Sequence, residues 1–352
     1  MMNETCKAAV FTAVHSEIEL RDVPIPVLQA DQLLIQVTCC TICGSDLHTF
    51  CGKRSTPTPS VLGHEIIGII KQRAASPAFD IAGNELQLGD RVTWSVAAAC
   101  GNCHRCRSGL PQKCESLFKY GHERFSGAAK LSGGLAQYCV LHSGTAIVRL
   151  PAKLPDSVAC PANCATATVA AAVRQAGSLH GKRVLVLGAG MLGLTACAMA
   201  DAAQAASVCL CDPDERRRQR AIAFGATETA GQVARDDFDC VFEMSGHPSA
   251  VEAAIRAATV GGKIALVGSV SPSPPVNVDP EQIVRRLLTI FGVHNYTPLD
   301  LVTAVNFLCE QHQRYPFADL VERSWSLSEV NAAFDYALQQ RPIRVAVVPD
   351  GK

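Results

Sequence analysis

The stretch RVLVLGAGMLGLTACAMA, residues 183–200, admits few structures. An uninterrupted apolar run that breaks at Gly188, Gly190 and Gly193 and then resumes as an Ala-rich stretch reads as a buried strand, a tight turn and a helix. It is not a membrane span: the uncharged run from Val184 to Ala200 is too short to cross a bilayer comfortably, and Asp201 follows at once. Asp212 closes the next apolar strand, SVCLCD. Together these parts match a dinucleotide site, in which glycines let backbone amides approach a pyrophosphate at a helix N-terminus and a carboxylate accepts from the ribose hydroxyls. Gly188, Gly190, Met191, Leu192 and Gly193 are the candidate coenzyme contacts, and Asp212 favours NAD over NADP. Arg216, Arg217 and Arg218 weaken that preference, and Arg217 is counted among the contacts.

The texture around this motif changes once along the chain. Up to about residue 160 come short β-like runs (AAVFTAV, QLLIQVTCC, HEIIGIIKQ, DRVTWSVAAA, AQYCVL, TAIVRL) separated by Gly, Pro, Asp and Ser, the pattern of an antiparallel β-rich domain. From Ala165 onward wholly apolar strands (RVLVLGA, SVCLCD, DCVFEMS, KIALVGSV, LTIFGV) alternate with helical stretches. That predicts an α/β unit with a doubly wound parallel sheet, covered on both faces. After about Asn295 follow an amphipathic stretch, LDLVTAVNFLCEQH, and a final strand, RVAVVP, while SPSPPVNVDP reads as a proline-rich surface loop. A length of 352 residues suits two domains.

The seventeen cysteines are too sparse for a small disulfide scaffold, and several (Cys197, Cys209, Cys211, Cys240) sit inside apolar runs. With charges at Glu4 and Lys7 and no long apolar stretch before His15, the N-terminus predicts no export, so a reducing cytoplasm is expected. Residues 100–114, CGNCHRCRSGLPQKC, place Cys100, Cys103, Cys106 and Cys114 so that four thiolates close a tetrahedral shell around Zn2+, the mark of a structural site. The opening resembles a ferredoxin run, but the fourth cysteine comes too late and no proline follows it. Arg105, Arg107 and Lys113 lie within the lobe, yet thirty-two basic residues balance thirty-two acidic ones over the chain. Neither nucleic acid nor a membrane surface is therefore an expected partner.

Upstream, TCCTICGSDLH contains a CxxC pair, Cys40 and Cys43, and farther on come GHE, with His64 and Glu65, and PANCATATVAAAV, with Cys164 and directly preceded by Cys160. CGSDLH, then GHE, then a four-cysteine lobe, then a glycine-rich βα turn is an order of parts that resembles the zinc-dependent medium-chain alcohol dehydrogenases over nearly the whole chain. The resemblance implies a GroES-like catalytic domain over 1–164, a Rossmann coenzyme domain over 165–295 and a return to the catalytic domain over 296–352. It implies two zinc ions per chain and NAD. Carried over residue by residue, it gives Cys43, His64 and Cys164 as ligands of a catalytic zinc with one open position, and Glu65 as a supporting or alternate ligand. It makes Asp46 the residue orienting His64, Ser45 and His48 a proton relay, Thr168 a coenzyme contact, and Arg344 a partner of the coenzyme pyrophosphate. Cys160 lies close enough to Cys164 to compete as third ligand, and Thr168 supports the Cys164 register. Cys39 and Cys40 are then packed thiols at the end of a strand. A homodimer or homotetramer is also implied.

The expected chemistry is hydride transfer between NAD and a small alcohol or its aldehyde, with the substrate oxygen on zinc and water excluded from the cleft. Lys53 and Arg54, and the cluster Lys119, Tyr120 and His122, suit an anionic alcohol. LPQKCESLFKYGHE and PANCATATVAAAV are similar to a subgroup proposed to serve phosphonate catabolism, which points to a hydroxyphosphonate. The alternatives are a polyol, sorbitol- or threonine-type dehydrogenase and a non-catalytic NAD-binding sensor on the same fold.

Overall fold

The computed structural model describes residues 4–350. The first three residues of the stretch read for an export leader lie outside the described residues. Among the described residues the strands are β1 (Thr5–Phe11), β2 (Glu19–Pro24), β3 (Leu33–Ile42), β4 (Ser60–Val61), β5 (Glu65–Arg73), β6 (Arg91–Ala98), β7 (Phe118–Lys119), β8 (Tyr138–Leu141), β9 (Thr145–Arg149), β10 (Arg183–Leu187), β11 (Ser207–Cys211), β12 (Glu228–Ala230), β13 (Phe238–Glu243), β14 (Ala258–Leu266), β15 (Thr289–Gly292), β16 (Val321–Ser326) and β17 (Arg344–Val348).

The chain divides into two units. One comprises the chain up to Cys164, Thr297–Glu310 and the chain from Phe317 onward; the other comprises Ala165–Tyr296 and Gln311–Pro316. Residues 311–316, which the sequence reading left with the returning segment, join the second unit because Arg314 and the Tyr315 hydroxyl both reach Asp201, each at 2.6 Å.

In the first unit an eight-stranded sheet runs β16-β17-β3-β5-β6-β7, with β8 also paired to β3 and β9 to β6. β3 is buried at every position but Gln36, since it is flanked by β17 and β5, and this is why its sequence shows no polar alternation. Its core includes Phe11, Trp94, Tyr120 and Phe334, all with no more than 1% exposure; each such side chain contributes about 1.5–3 kcal/mol on burial. Phe50 stacks at 4.9 Å on Phe334 and 6.0 Å on Phe11, which anchors helix Gly44–Phe50 to that core.

The second unit is a parallel sheet ordered β12-β11-β10-β13-β14-β15, the doubly wound arrangement in which the chain starts at the centre and works outward in both directions. Helix Met191–Ala202 crosses from β10 to β11 and helix Pro248–Ala257 from β13 to β14. Right-handed crossovers running in opposite directions place the two helices on opposite faces, with the switch point between β10 and β13. A side chain at Gly193 would run into the Gly188 carbonyl oxygen, so this helix seats directly on the turn before it.

The short strands β2, β4, β7, β12 and β16 escape the sequence reading. β16, VERSWS, is a charged edge strand, where no apolar run marks the sheet. The proline-rich loop carries no regular structure until Pro280, where Asp279 caps helix Pro280–Arg285 by accepting from the Glu281 amide at 2.9 Å. Among the described residues no helix is long and apolar enough to cross a membrane.

Candidate active site

Cys43 ends the buried strand β3 and stands as N-cap of helix Gly44–Phe50. Asp46, only 2% exposed, ties this turn to the start of β5. Its Oδ2 accepts from the Cys43 amide at 2.9 Å, and its Oδ1 faces the Gly63 amide and His64 Nδ1, each at 3.2 Å. With Nδ1–H given to Asp46, His64 presents Nε2 to the site, 3.3 Å from Ser45 Oγ. The donor atoms of Cys43, His64 and Cys164 all lie within 4.8 Å of one another.

The structure thus brings Cys164 to the cluster and leaves Cys160 out of it. Cys160 turns away, donating from Sγ to the Glu65 carbonyl at 3.2 Å and the Cys39 carbonyl at 3.3 Å. Sequence reasoning missed the residue between them that matters most, Asn163. Wholly buried, it accepts from the Ile66 amide at 3.3 Å and donates to the carbonyls of His64 at 3.0 Å and Trp94 at 2.8 Å, locking the Cys164 turn onto β5 and β6. In the sequence Asn163 reads as a turn residue; its only signal is its place immediately before the ligand.

Cys39 and Cys40 are buried thiols of the strand, not donors. Replacing Cys40 by Ser should therefore leave the zinc content unchanged by atomic absorption, whereas Cys164→Ser should lose about one ion per chain; a zinc lost from the Cys40 variant would overturn the assignment.

The donor set suits a soft divalent cation. A hydrogen bond with Cys164, followed by the Arg344 charge, holds the Cys43 thiol well below its ordinary pKa against the effect of burial, and Cys164 is raised by the same bond. Burial opposes a proton on His64, but the charge and hydrogen bond of Asp46 outweigh it and lift the imidazole to about 10. The site therefore holds thiolate character and a displaceable proton, which a metal ion would release on binding.

Glu65 is wholly buried, and burial pushes its carboxyl upward. Arg344 meets it in a two-pronged pair, Nε to Oε2 and Nη2 to Oε1 at 2.8 Å each, while Thr41 Oγ1 donates to Oε2 at 2.6 Å. Arg344, expected to face a coenzyme pyrophosphate, is thus anchored on Glu65. It is only 8% exposed, its Nη1 donates to the Ile343 carbonyl, and its Nη2 also lies 3.4 Å from Cys43 Sγ. A carboxylate with no exposure needs such a partner. His48 is exposed on the same helix as Ser45; partial burial of its ring, then Lys53, hold its pKa below the usual 6.5.

The thiols of Cys100, Cys103, Cys106 and Cys114 form a second cluster within 4.8 Å. Backbone amides of Cys100, Cys103 and Cys106 donate to Cys114, Cys100 and Cys103 sulfurs at 3.2, 3.4 and 3.5 Å, the kind of support thiolates need. The Cys100 amide is the first cause that lowers Cys114 to about 6.

In the other unit, helix Met191–Ala202 begins at Gly190 without a side-chain cap, leaving its first amides free for an anion. Asp212 accepts from the Ala189 amide at 2.7 Å and the Asp214 amide at 2.8 Å, fixing its carboxylate beside the turn. Arg217 gives its amide to Asp214, and Thr168 is half-buried on helix Ala165–Ala176.

Residues 29–152 match the alcohol dehydrogenase GroES-like domain, and residues 192–310 match the zinc-binding dehydrogenase family. The chain is 32% identical to the L-threonine 3-dehydrogenase of Deinococcus deserti over 78% of its length and 79% of the relative's. The chain belongs to the zinc-dependent medium-chain dehydrogenases. This dehydrogenase is also 31% identical to the L-threonine 3-dehydrogenase of Streptomyces avermitilis, over 86% of its own length and 88% of that chain. Its fold is shared with an alcohol dehydrogenase from Thermotoga maritima, with a TM-score of 0.93, 24% identity and coverage of 99% and 100% of the two chains. A protein of Sinorhizobium meliloti, described as a zinc-binding dehydrogenase and solved with NADP, is similar at a TM-score of 0.86 and 26% identity, covering 98% and 100%. The family settles the broad class: the protein is an oxidoreductase with a GroES-like and a Rossmann unit, and the non-catalytic sensor is set aside.

Proposed function

We propose that this dehydrogenase oxidises a small alcohol with NAD as hydride acceptor, using one catalytic and one structural zinc ion. The observation that carries this reading is the set of three donors, Cys43, His64 and Cys164, gathered within 4.8 Å in a chain whose four-cysteine lobe gathers four, so that a four-coordinate ion bound by the three would keep one position open. When bound there, zinc supplies a Lewis acid that makes the substrate hydroxyl far more acidic.

The chain's own residues supply the rest. Asp46 fixes the His64 tautomer. Ser45 Oγ, next to His64 Nε2, is the hydroxyl through which the substrate's proton leaves toward His48. His48, with its lowered pKa, is neutral near pH 7 and able to receive it. Glu65 and Arg344 form a fixed dipole behind Cys43. Amides of the turn from Gly188 to Gly193, with Met191 and Leu192 on the new helix, hold the pyrophosphate, Asp212 holds the ribose, and Thr168 and Arg217 make outlying contacts. Arg218 donates to the Asp212 and Pro213 carbonyls at 2.7 and 2.9 Å, so it is not free for a 2'-phosphate, which supports NAD over NADP.

Seventeen free thiols support a reducing cytoplasm as its location. The exposed edge strand β15, with Val260 65%, Val284 71% and Leu287 71% exposed in neighbouring segments, supports a homodimer or homotetramer built on that edge. For the substrate, the similarity to the phosphonate subgroup supports a hydroxyphosphonate, and the names of the relatives support L-threonine as a second reading.

Elemental analysis should find about two zinc ions per chain, and NADH absorbance should rise on at least one of a neutral alcohol, a polyol, L-threonine or 2-hydroxyethylphosphonate, with NADP the poorer coenzyme. A fully zinc-loaded protein that reduces neither coenzyme on any of them contradicts the proposal.

A further inference from the structure

The segment from Phe118 to His122 lies directly against the metal centre. At Gly121 (φ +74°) a Cβ would meet the Gly63 carbonyl oxygen at 2.7 Å and His64 Cβ at 3.2 Å, so glycine alone lets the chain run this close. Strand alternation then sorts the side chains of β7 and its extension. Phe118 and Tyr120 turn inward, Phe118 onto His142 with centroids 4.0 Å apart and Tyr120 onto Trp94 at 6.2 Å, which sends Lys119 to the opposite face. His122 brings its ring to 5.3 Å from His64. Its Nδ1 faces the Tyr120 carbonyl at 2.8 Å and so carries the proton, leaving Nε2 as an acceptor that adds no positive charge.

Lys119 is half-buried, and its ammonium has no hydrogen-bond partner among the described residues. Burial acts on it most strongly, and of the charges around it the strongest is another cation, Arg54, with Lys113 adding to the repulsion and Cys164 and Asp46 opposing it. Arg54, also half-buried, follows helix Gly44–Phe50 on a turn held by its amide on the His48 carbonyl at 3.1 Å, and its guanidinium likewise has no partner among the described residues. The acids close by are already engaged. Asp46 serves Cys43, Gly63 and His64; Glu65 serves Arg344 and Thr41; Glu123 Oε1 accepts from the Lys119 amide at 2.8 Å. Two partly desolvated cations that repel each other, neither hydrogen-bonded to an acid among the described residues, make an arrangement that becomes favourable when an anion joins it.

We infer that Lys119 and Arg54 seat an anionic group of the substrate, so that the alcohol taken here carries an oxyanion, a carboxylate or a phosphonate or phosphate, a short distance from its hydroxyl carbon. Lys119 is then a specificity-determining residue. The inference rests on the proposed function only for the place of the hydroxyl. It also separates this dehydrogenase from its L-threonine-named relatives, because Asp46, Glu65 and Glu123 are already engaged and do not offer a carboxylate to a substrate ammonium.

The test uses zinc-loaded protein with NAD and four alcohols: 2-hydroxyethylphosphonate, 3-hydroxybutyrate, L-threonine and neutral 2-butanol. An anionic alcohol lacking an ammonium should have the highest kcat/KM, and the ratio of its kcat/KM to that of 2-butanol should fall about tenfold to a hundredfold in Lys119→Met, mostly through KM, and recover in Lys119→Arg. Isothermal titration with methylphosphonate and with acetate supplies a readout independent of turnover and tells the two oxyanions apart. Wild-type protein should bind one of them at least about tenfold more tightly than Lys119→Met or Arg54→Met does. Equal affinity in wild type and variants, or a wild-type preference for 2-butanol or L-threonine, overturns the inference. Tight anion binding without turnover of any alcohol would sink the proposed function and leave the anion seat standing.

Discussion

His64→Ala is expected to lower kcat/KM by about three orders of magnitude or more, the scale of several kcal/mol of lost Lewis-acid stabilisation, while the far-ultraviolet circular dichroism stays that of the folded chain. The separation of activity from folding follows from the geometry. Cys43 and Cys164 are held by the strand end and by Asn163, independently of the imidazole, and the ring sits against Asp46 and not in the apolar core. Zinc content should fall from about two ions per chain to about one, because the four-cysteine lobe shares no donor with this centre. If the variant keeps both ions and its turnover, the three-donor centre is not where the chemistry occurs.

Arg344→Met is the second large effect, and it falls on stability. The substitution preserves much of the side chain's volume but leaves Glu65, with no exposure, carrying an uncompensated charge or forced to protonate. Breaking one side of such a buried pair costs about 3–5 kcal/mol, which for a domain of this size lowers Tm by roughly 10 °C. Glu65→Gln together with Arg344→Met should recover a good part of the loss, since the orphan charge is then gone, and scanning calorimetry of the two singles and the double measures this coupling. A single variant melting within about 2 °C of the wild type would show that the pair carries little of the stability.

Much of the fold is legible in the residues because each signal is local. RVLVLGAGMLG needs only its own periodicity and glycines to announce a strand, a turn and a helix, and CGNCHRCRSGLPQKC needs only its spacing to announce a closed metal site. The same locality explains what stays hidden. CPANCAT by itself leaves Cys160 and Cys164 equally placed, and only the register of Thr168 favours Cys164; in the fold the thiol left out is the one that meets the backbone carbonyls of Cys39 and Glu65 once β3 and β5 are paired. Asn163 is silent for the same reason: its three partners belong to β5, β6 and the residue before β5. The Arg344–Glu65 pair is invisible in the sequence because Glu65 stands 279 residues earlier, and only the sheet, which sets β17 beside β3, brings them together. Charged edge strands such as β16 fail differently, since at a sheet margin the hydrogen bonds fix the strand and hydrophobicity contributes little.

That pairing of β17 with β3, Val345 beside Ile42 and Val347 beside Cys40, has a consequence for how the protein is made. The ribosome releases Cys43, His64, Glu65 and Cys164 long before Arg344 and β17, which supply the counter-charge for Glu65 and the neighbouring strand for β3. A nascent chain must therefore carry these residues beside an unpaired carboxylate and an open sheet edge while the whole coenzyme unit is translated, and the catalytic unit closes only once β17 has emerged.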